Sequence, residues 1–248
     1  MTDRLPIRRF ARSLYASAPE RLRHRVRRIR HPAWLGTLRR TTPLSDGWGF
    51  ERGSPVDRYY IERFVRTHRQ DIRGRALEVM DSRYVDRFGS GVTEVHVLDI
   101  DPDNARATIV ADLTRADTVP DESFDCIVVT QTLQLIFDVP AALSHLERML
   151  KPGGVLLVTV PGISRIGKRY LASDHWRFTP ASCTALFGAR FAGDQVEVSS
   201  YGNVLAAMAF LSGMAREELR RRELDVHDPF FPVILGVRAH KAGPRSEG

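Results

Sequence analysis

Residues 124–160 read FDCIVVTQTLQLIFDVPAALSHLERMLKPGGVLLVTV, and this stretch decides the fold class. It begins with a continuous apolar run over 124–130, which is typical of a strand buried on both faces. Apolar residues then recur at helical spacing over 141–150, and the Pro and Gly at 151–154 end that helix. A second apolar run follows over 155–160. This order predicts two parallel strands joined by a crossover helix.

The same alternation continues on both sides of this stretch. The sequence predicts helices over 57–69 and 204–211, and a third helix that Thr179 caps and Pro180 begins. The other predicted strands lie over 76–80, 95–100, 107–110, 196–199 and 232–239. Strands that alternate with helices predict an α/β fold, with a mostly parallel sheet covered by helices on both faces.

The excess positive charge lies at the N-terminal end. The net charge is +7, yet residues 1–40 alone carry +10, from twelve arginines and two acids. The other 208 residues are therefore mildly acidic, at −3. A charge confined to one end argues against a protein that coats nucleic acid, so no nucleic-acid partner is expected. The basic segment contains two predicted helices, over 7–15 and 22–29, with a capping box of Ser17 and Glu20 before the second.

Composition divides the chain into a basic helical extension (1–50), a main domain (51–241) and a flexible tail (242–248). Several roles are open for the extension: packing on the domain, a homodimer contact, or binding to an anionic membrane surface or an acidic protein. Two cysteines form no disulfide framework, and no apolar run is long enough to span a bilayer. A cytoplasmic protein is expected, either free or peripheral at the inner membrane face.

Acidic residues accompany three successive predicted strands. Glu78 lies in the first strand, Asp101 just after the second and Asp112 after the third. Ligands of parallel sheets bind where the carboxyl ends of the strands meet. A carboxylate after the second strand can accept both ribose hydroxyls, and an acid after the third can meet an adenine edge. Each acid alone is equally a turn or cap residue, but the three in order predict an adenosine site.

Residues 74–160 resemble the class I S-adenosylmethionine-dependent methyltransferases, in the small-molecule, type 11-like group. GRALEVMDSRYVDRFG (74–89), VHVLDID (95–101) and IVADL (109–113) match the first three motifs of that family. The resemblance implies a Rossmann-like fold, with a mostly parallel seven-stranded sheet and an antiparallel last strand. It also implies S-adenosylmethionine as the cofactor. The cofactor-binding residues that it implies are Tyr59, Glu78, Met80, Asp81, Asp101, Asp112, Leu113 and Gln131.

Three further segments resemble a bacterial subgroup associated with glycosyltransferases and sugar modification: WGFERGSPVDRYYIERF (48–64), DHWRFTP (174–180) and YGNVLAAMAFLSG (201–213). This implies a glycan or small-molecule acceptor, methylated on a hydroxyl or amine of a sugar or natural product. The enzyme then mainly aligns the acceptor with the electrophilic methyl group, and a hydroxyl acceptor also needs a base. His175 is the first candidate base, and Asp174 either orients it or acts as the base. The alternative for His175 is a solvent-exposed loop histidine.

The first motif departs from the family at its glycines. Met80, Ser82 and Tyr84 stand at the family's glycine positions, where glycine permits positive φ and close approach of the cofactor. The subgroup's loop resembles E-x-G-D-x-x-Y, which fits Glu78, Asp81 and Tyr84 and leaves Met80 as the anomaly. Met80 either lines the pocket beside the cofactor's sulfur or fills it. The expected function is an active methyltransferase, and the alternative is an inactive protein of this fold that binds partners through its basic arm.

Other chemistries have little support in the sequence. No zinc-protease, P-loop or α/β-hydrolase motif occurs, and the histidines show no ligand spacing, so no metal site is predicted. A nucleotide-sugar epimerase or dehydrogenase is a third hypothesis. The absence of GxGxxG after the first predicted strand counts against it.

Overall fold

The structure is a computed structural model, and it describes residues 18–30, 36–192 and 195–243. Contacts divide the chain into two units, Met1–Thr42 and Pro43–Gly248. In the first unit, helix α1 spans Glu20–Arg30. The helix predicted over 7–15 and Ser17 of the predicted capping box lie outside the described residues. The loop over 43–50, which the sequence assigns to the extension, packs within the second unit.

One seven-stranded sheet organises the second unit, in the order β3-β2-β1-β4-β5-β7-β6. Its strands are β1 Gly74–Val79, β2 Val92–Asp99, β3 Ile109–Val110, β4 Phe124–Thr130, β5 Leu150–Pro161, β6 Val196–Tyr201 and β7 Ile234–His240. Strands β1 to β5 pair in parallel, and β7 lies antiparallel between β5 and β6. The predicted fold class is therefore confirmed, including the antiparallel last strand.

Strand β5 begins five residues before the predicted strand. The preceding helix ends at Met149, and the chain enters the sheet at once instead of forming a separate turn. The pairing with β4 shifts in register over this segment, which marks a bulge. Gly153 has φ 79° there, a conformation that glycine adopts without steric cost. The glycines thus bend the strand rather than precede it.

Six helices are described in this unit: α2 Val56–Thr67, α3 Arg83–Phe88, α4 Val139–Met149, α5 Pro180–Gly188, α6 Val204–Ser212 and α7 Arg221–Leu224. The predicted cap of α5 is confirmed, because Thr179 Oγ1 accepts from the Ser182 N–H at 3.1 Å. Asp138 caps α4 in the same way. The sequence analysis did not predict α3. No helix in the described parts of the chain is long and apolar enough to cross a bilayer.

The core occupies both faces of the sheet. Along β4, Cys126 and Val128 pack in one cluster with side chains of α2 and α6. The intervening Ile127 and Val129 pack in the other cluster, with side chains of α4 and α5. Such alternation is expected of a strand buried on both faces. Since both faces are covered, the carboxyl ends of the strands are left as the edge where a ligand can bind.

Candidate active site

A cleft of about 280 Å³ opens at this carboxyl edge. Met80 follows β1, Gln131 follows β4, and both line the cleft. Since β1 and β4 are neighbouring parallel strands, the topology itself brings their two loops together. The loop before α2 and the segment after β5 contribute the other walls.

The two residues that follow these strands both have a left-handed backbone. The φ angle is 75° at Met80 and 51° at Gln131, and such a conformation costs a non-glycine residue about 1 kcal/mol or more. The Met80 side chain is 48% exposed and stands in the wall of an open cleft. In this structure, methionine at the family's glycine position therefore lines the cleft rather than filling it.

Glu78 lies behind the cleft, with 1% of its surface exposed. Its carboxylate accepts from the Tyr84 N–H at 3.0 and 3.1 Å and from the Val85 N–H at 2.8 Å, in the first turn of α3. Burial raises the pKa of Glu78 to about 8, against the opposing effect of these backbone hydrogen bonds. Glu78 supports the loop after β1 and does not line the cleft. Its predicted role in cofactor binding stays a prediction.

Three residues that line the cleft carry a buried polar atom with no hydrogen-bond partner among the described residues. These atoms are Asp57 Oδ1, Arg58 Nε and Gln134 Oε1. Buried polar atoms are nearly always hydrogen-bonded, so three exceptions in one cleft point to a ligand. Burial also raises the pKa of Asp57, although Arg58 beside it opposes the shift. Neither Asp57 nor Gln134 is among the predicted site residues.

Tyr59 is not among the residues that line the cleft, and its predicted role in cofactor binding stays a prediction. Its hydroxyl donates to Asp225 Oδ1 at 2.6 Å, in a separate surface depression that Arg63 also lines. Residues two positions apart on a helix point about 200° apart, so Tyr59 faces away from Asp57, which lines the cleft. Helix α2 presents Arg58 to the cleft instead.

The acids after β2 and β3 lie along the same carboxyl edge. Strand β2 ends at Asp99, which accepts from Asn104 Nδ2 at 2.6 Å and from the Asp101 N–H at 3.1 Å. Asp101 follows in the next turn. Asp112 accepts from both the N–H and the hydroxyl of Thr114, each at 2.8 Å. Asp99 is therefore a second carboxylate at the end of β2, which the sequence analysis did not consider.

Two other predicted cofactor residues differ in accessibility. Asp81 lines the cleft and pairs with the Arg83 guanidinium at 3.0 Å. The Leu113 side chain is 4% exposed and belongs to the core, so only its backbone remains available to a ligand. In the described residues, no group of three or more His, Cys, Asp or Glu side chains is arranged to hold a metal ion.

The structure separates the two predicted catalytic residues. Asp174 lines the cleft, and its carboxylate accepts two hydrogen bonds from the Arg177 guanidinium, at 2.5 and 3.0 Å. His175 is exposed, and its ring meets Phe137 edge-on with centroids 5.5 Å apart. The His175 N–H donates to the Gln134 carbonyl at 2.8 Å, which fixes the backbone with Asp174 toward the cleft. The structure therefore places Asp174, and not His175, in the lining of the cleft, and His175 as the base stays a prediction.

An exposed aromatic pair adjoins the cleft. Phe137 and Trp176 stack with ring centroids 5.8 Å apart, although 71% and 39% of their surfaces are exposed. Trp176 Nε1 donates to the Ile136 carbonyl at 3.0 Å, which anchors the pair. Trp176 lies in the chain between Asp174 and Arg177, both of which line the cleft. Exposed apolar surface beside a cleft is characteristic of ligand-binding sites.

Sequence comparison identifies the segment that builds this edge of the sheet. A family described as a methyltransferase domain matches residues 75–158. The match begins in β1 and ends in β5, so it includes both strands whose ends meet at the cleft. The protein is thus a methyltransferase, with S-adenosylmethionine as its cofactor.

Solved structures of low sequence identity share the fold. The (4+2)-cyclase SpnF aligns with a TM-score of 0.51 and 16% identity, over 78% of this chain and 85% of its own. An S-adenosylmethionine-dependent methyltransferase from Archaeoglobus fulgidus aligns at 0.49 and 12%, over 74% and 94%. One from Mesorhizobium loti aligns at 0.48 and 21%, over 71% and 95%. No curated protein sequence matches the chain. The similarity to SpnF describes the fold and does not identify an acceptor.

Proposed function

We propose that the methyltransferase acts on a hydroxyl or an amine of a sugar-containing or natural-product small molecule, bound in the cleft after β1 and β4. The observation that carries the proposal is the set of unpartnered buried atoms on Asp57, Arg58 and Gln134. All three residues line one cleft, and each atom needs a polar partner that the described protein does not supply.

The residues present fit S-adenosylmethionine at both of its ends. Carboxylates at the end of β2, on Asp99 and Asp101, suit the two hydroxyls of the ribose, and Asp112 suits an adenine edge. At the other end, Asp57 and Arg58 offer opposite charges side by side to the ammonium and carboxylate of the amino-acid group. An ammonium group there would also offset the burial that raises the pKa of Asp57. The bound cofactor supplies an electrophilic methyl group on a positively charged sulfur.

Asp174 is the proposed base for a hydroxyl acceptor. It is the one member of the predicted catalytic pair that lines the cleft. The two hydrogen bonds from Arg177 hold its carboxylate in a single orientation, which serves alignment of the acceptor. We therefore expect Asp174→Asn to lower kcat for a hydroxyl acceptor and to leave the affinity for the cofactor unchanged.

The aromatic pair of Phe137 and Trp176 supports a sugar in the acceptor. A pyranose ring has an apolar C–H face that can stack on an aromatic ring, and hydroxyls at its edge that need polar partners. The adjoining cleft offers an amide on Gln134, a carboxylate on Asp174 and a guanidinium on Arg177. This combination of groups suits a sugar better than a wholly apolar acceptor.

Calorimetry with S-adenosylhomocysteine tests the proposal. We expect the wild-type protein to bind it with a Kd in the micromolar range, and Arg58→Gln to weaken binding at least about tenfold. Arg63→Gln is the matched control, because Arg63 lies on the same helix but lines the separate depression. Folded wild-type protein that releases no heat with this ligand contradicts the proposal. Equal loss in both variants contradicts the assignment of Arg58.

For the N-terminal segment we propose attachment to an anionic membrane surface. In α1, Leu22 and Ile29 are 50% and 71% exposed, on a helix that also carries exposed arginines. Exposed apolar residues among arginines are characteristic of helices that lie in a lipid interface. The test is co-sedimentation with phosphatidylglycerol vesicles, which we expect to fall when Arg21, Arg25 and Arg28 are replaced by glutamine. Unchanged co-sedimentation contradicts the proposal, as does equal binding to phosphatidylcholine.

A further inference from the structure

The loop after β1 is held by the carboxylates of Glu78 and Asp81. Glu78 accepts three hydrogen bonds from the N–H groups of Tyr84 and Val85. Asp81 Oδ1 accepts from the Arg83 N–H at 3.1 Å. Because these N–H groups already have partners, they are not available to a ligand. Arg58 offers an anionic ligand group a cationic side chain in the lining of the cleft.

Tyr84 connects this loop to helix α2. Its ring is 3% exposed and stacks on Phe88, with centroids 6.4 Å apart and an interplanar angle of 12°. Its hydroxyl accepts a hydrogen bond from Arg58 Nη1 at 3.0 Å. The guanidinium is thereby fixed at one nitrogen, while Nε remains buried without a partner and the residue lines the cleft. The buried Tyr84 hydroxyl thus orients the Arg58 guanidinium in the lining of the cleft.

We infer that Glu78 and Tyr84 are positioning residues for the cofactor: Glu78 fixes the backbone of Tyr84, and Tyr84 fixes the Arg58 guanidinium toward the carboxylate of the amino-acid group. This inference rests on the proposed function, which assigns Arg58 to that carboxylate. Neither Glu78 nor Tyr84 lines the cleft, so both act through Arg58. Because both residues act through Arg58, we expect their replacement to change the affinity for the cofactor and not the rate of methyl transfer.

Two ligands distinguish this role from a merely structural one. S-adenosylhomocysteine has the amino-acid group, whereas 5′-methylthioadenosine shares the adenosine and lacks it. We expect Tyr84→Phe to bind S-adenosylhomocysteine about tenfold more weakly, since the hydrogen bond orients a charged group, and to bind 5′-methylthioadenosine like wild type. In turnover, KM for S-adenosylmethionine should rise about as much, with kcat within about twofold of wild type.

Tyr60→Phe is the matched control. Tyr60 lies on α2 and is 1% exposed, and its hydroxyl donates to the Leu224 carbonyl at 3.0 Å, away from the cleft. It loses a buried tyrosine hydroxyl, as Tyr84→Phe does, but should bind both ligands like wild type. Equal affinities of Tyr84→Phe and Tyr60→Phe for S-adenosylhomocysteine would overturn the inference.

A double-mutant cycle separates the inference from the proposed function. If Tyr84 acts through Arg58, Tyr84→Phe should cost no further affinity for S-adenosylhomocysteine in an Arg58→Gln background. Additive losses would overturn the inference and leave the proposed function intact. Absence of wild-type binding would instead contradict the proposed function. If Tyr84→Phe does not fold, the variant Arg58→Lys is tested in its place. Lysine keeps the positive charge but lacks the planar guanidinium, which can bond to Tyr84 and to a ligand at the same time. Wild-type affinity in that variant would also overturn the inference.

Discussion

The residues that follow β1 and β4 have the same unusual backbone conformation and the same pattern of hydrogen bonds. Met80 and Gln131 are both left-handed, and each donates its N–H to a neighbouring strand, to the Leu98 carbonyl at 2.9 Å and the Thr159 carbonyl at 2.8 Å. Each carbonyl then accepts from a side-chain amide at 2.8 Å. The partners are Asn104 Nδ2 for Met80 and Gln134 Nε2 for Gln131.

The difference between the two ends lies in what supports the loop beyond the left-handed residue. After β1, a buried carboxylate on Glu78 ties the loop to the strand below it. After β4, the amide partner comes from the loop itself, and Gln134 is 9% exposed. The β1 loop therefore depends on an ionisable group, and the β4 loop depends on neutral amides. This predicts different responses to mutation and to pH.

The largest expected effect is the loss of the carboxylate beneath the β1 loop. Glu78→Ala leaves the N–H groups of Tyr84 and Val85 without an acceptor and opens a cavity. We expect the free energy of unfolding to fall by about 3 kcal/mol. Urea denaturation at pH 7 measures it. Asp86→Ala is the control, since Asp86 accepts only from the Ser82 hydroxyl at an exposed site, and a similar loss in both variants would contradict this account.

The next effect is a dependence on pH that only the β1 end should show. Burial raises the pKa of Glu78 to about 8 in the folded state, from 4.5. The folded state therefore holds this proton more tightly than the unfolded state, so its stabilising contribution is lost progressively between about pH 4.5 and pH 8 and changes little above that. We expect wild type to lose about 2 kcal/mol of stability between pH 6 and 9, and Glu78→Gln to lose clearly less. Urea titrations at several pH values test this, and parallel curves would contradict it.

The sequence predicts the sheet well because each buried strand is a continuous apolar run. The run over 124–130 is strand β4, and the Thr179 cap begins α5, since both signals are local. The acids of the carboxyl edge are also visible, because each follows a strand. The motif points to Asp101, whereas β2 ends at Asp99, so the sequence does not predict the carboxylate at the strand end itself.

The walls of the cleft are much harder to predict from sequence. Arg58 faces the cleft and Tyr59 does not, and Asp174 faces it and His175 does not. In each pair, a residue that lines the cleft is the direct neighbour in sequence of one that does not. The choice depends on the rotation of α2 against the sheet and on a bond from the His175 N–H to the Gln134 carbonyl. Neither contact has a local signature in the sequence.

A third prediction compares the two amides that hold the left-handed carbonyls. Gln134→Ala leaves the Gln131 carbonyl unpaired beside a buried gap, and should lower the free energy of unfolding by about 2 kcal/mol. Asn104→Ala should cost about 1 kcal/mol, because water reaches the exposed Met80 carbonyl. Thermal or urea unfolding of the two variants under identical conditions gives the difference. Equal costs would mean that burial does not distinguish the two strand ends.

The smallest expected effect concerns the left-handed residues themselves. Met80→Gly removes backbone strain of about 1 kcal/mol from the folded state. Glycine also gives the unfolded chain more conformational freedom, which lowers the stability by somewhat less than this amount. Because the side chain is half exposed, little packing is lost, and we expect a net gain of about 0.5 kcal/mol. Gln131→Gly relieves similar strain but loses a half-buried side chain that reaches Thr159 Oγ1, so its free energy of unfolding should fall by about 0.5 kcal/mol.

Met80→Gly and Gln131→Gly are expected to change the free energy of unfolding in opposite directions, so their comparison is informative although each change is small. A gain at Met80 would mean that this chain keeps methionine at a cost in stability, which is understandable only if the side chain serves the cleft that it lines. Binding of S-adenosylhomocysteine to Met80→Gly then decides the matter. Weaker binding assigns the methionine to contact with the cofactor. Unchanged binding assigns it to the acceptor, because the residue would have no other ligand in the cleft to serve.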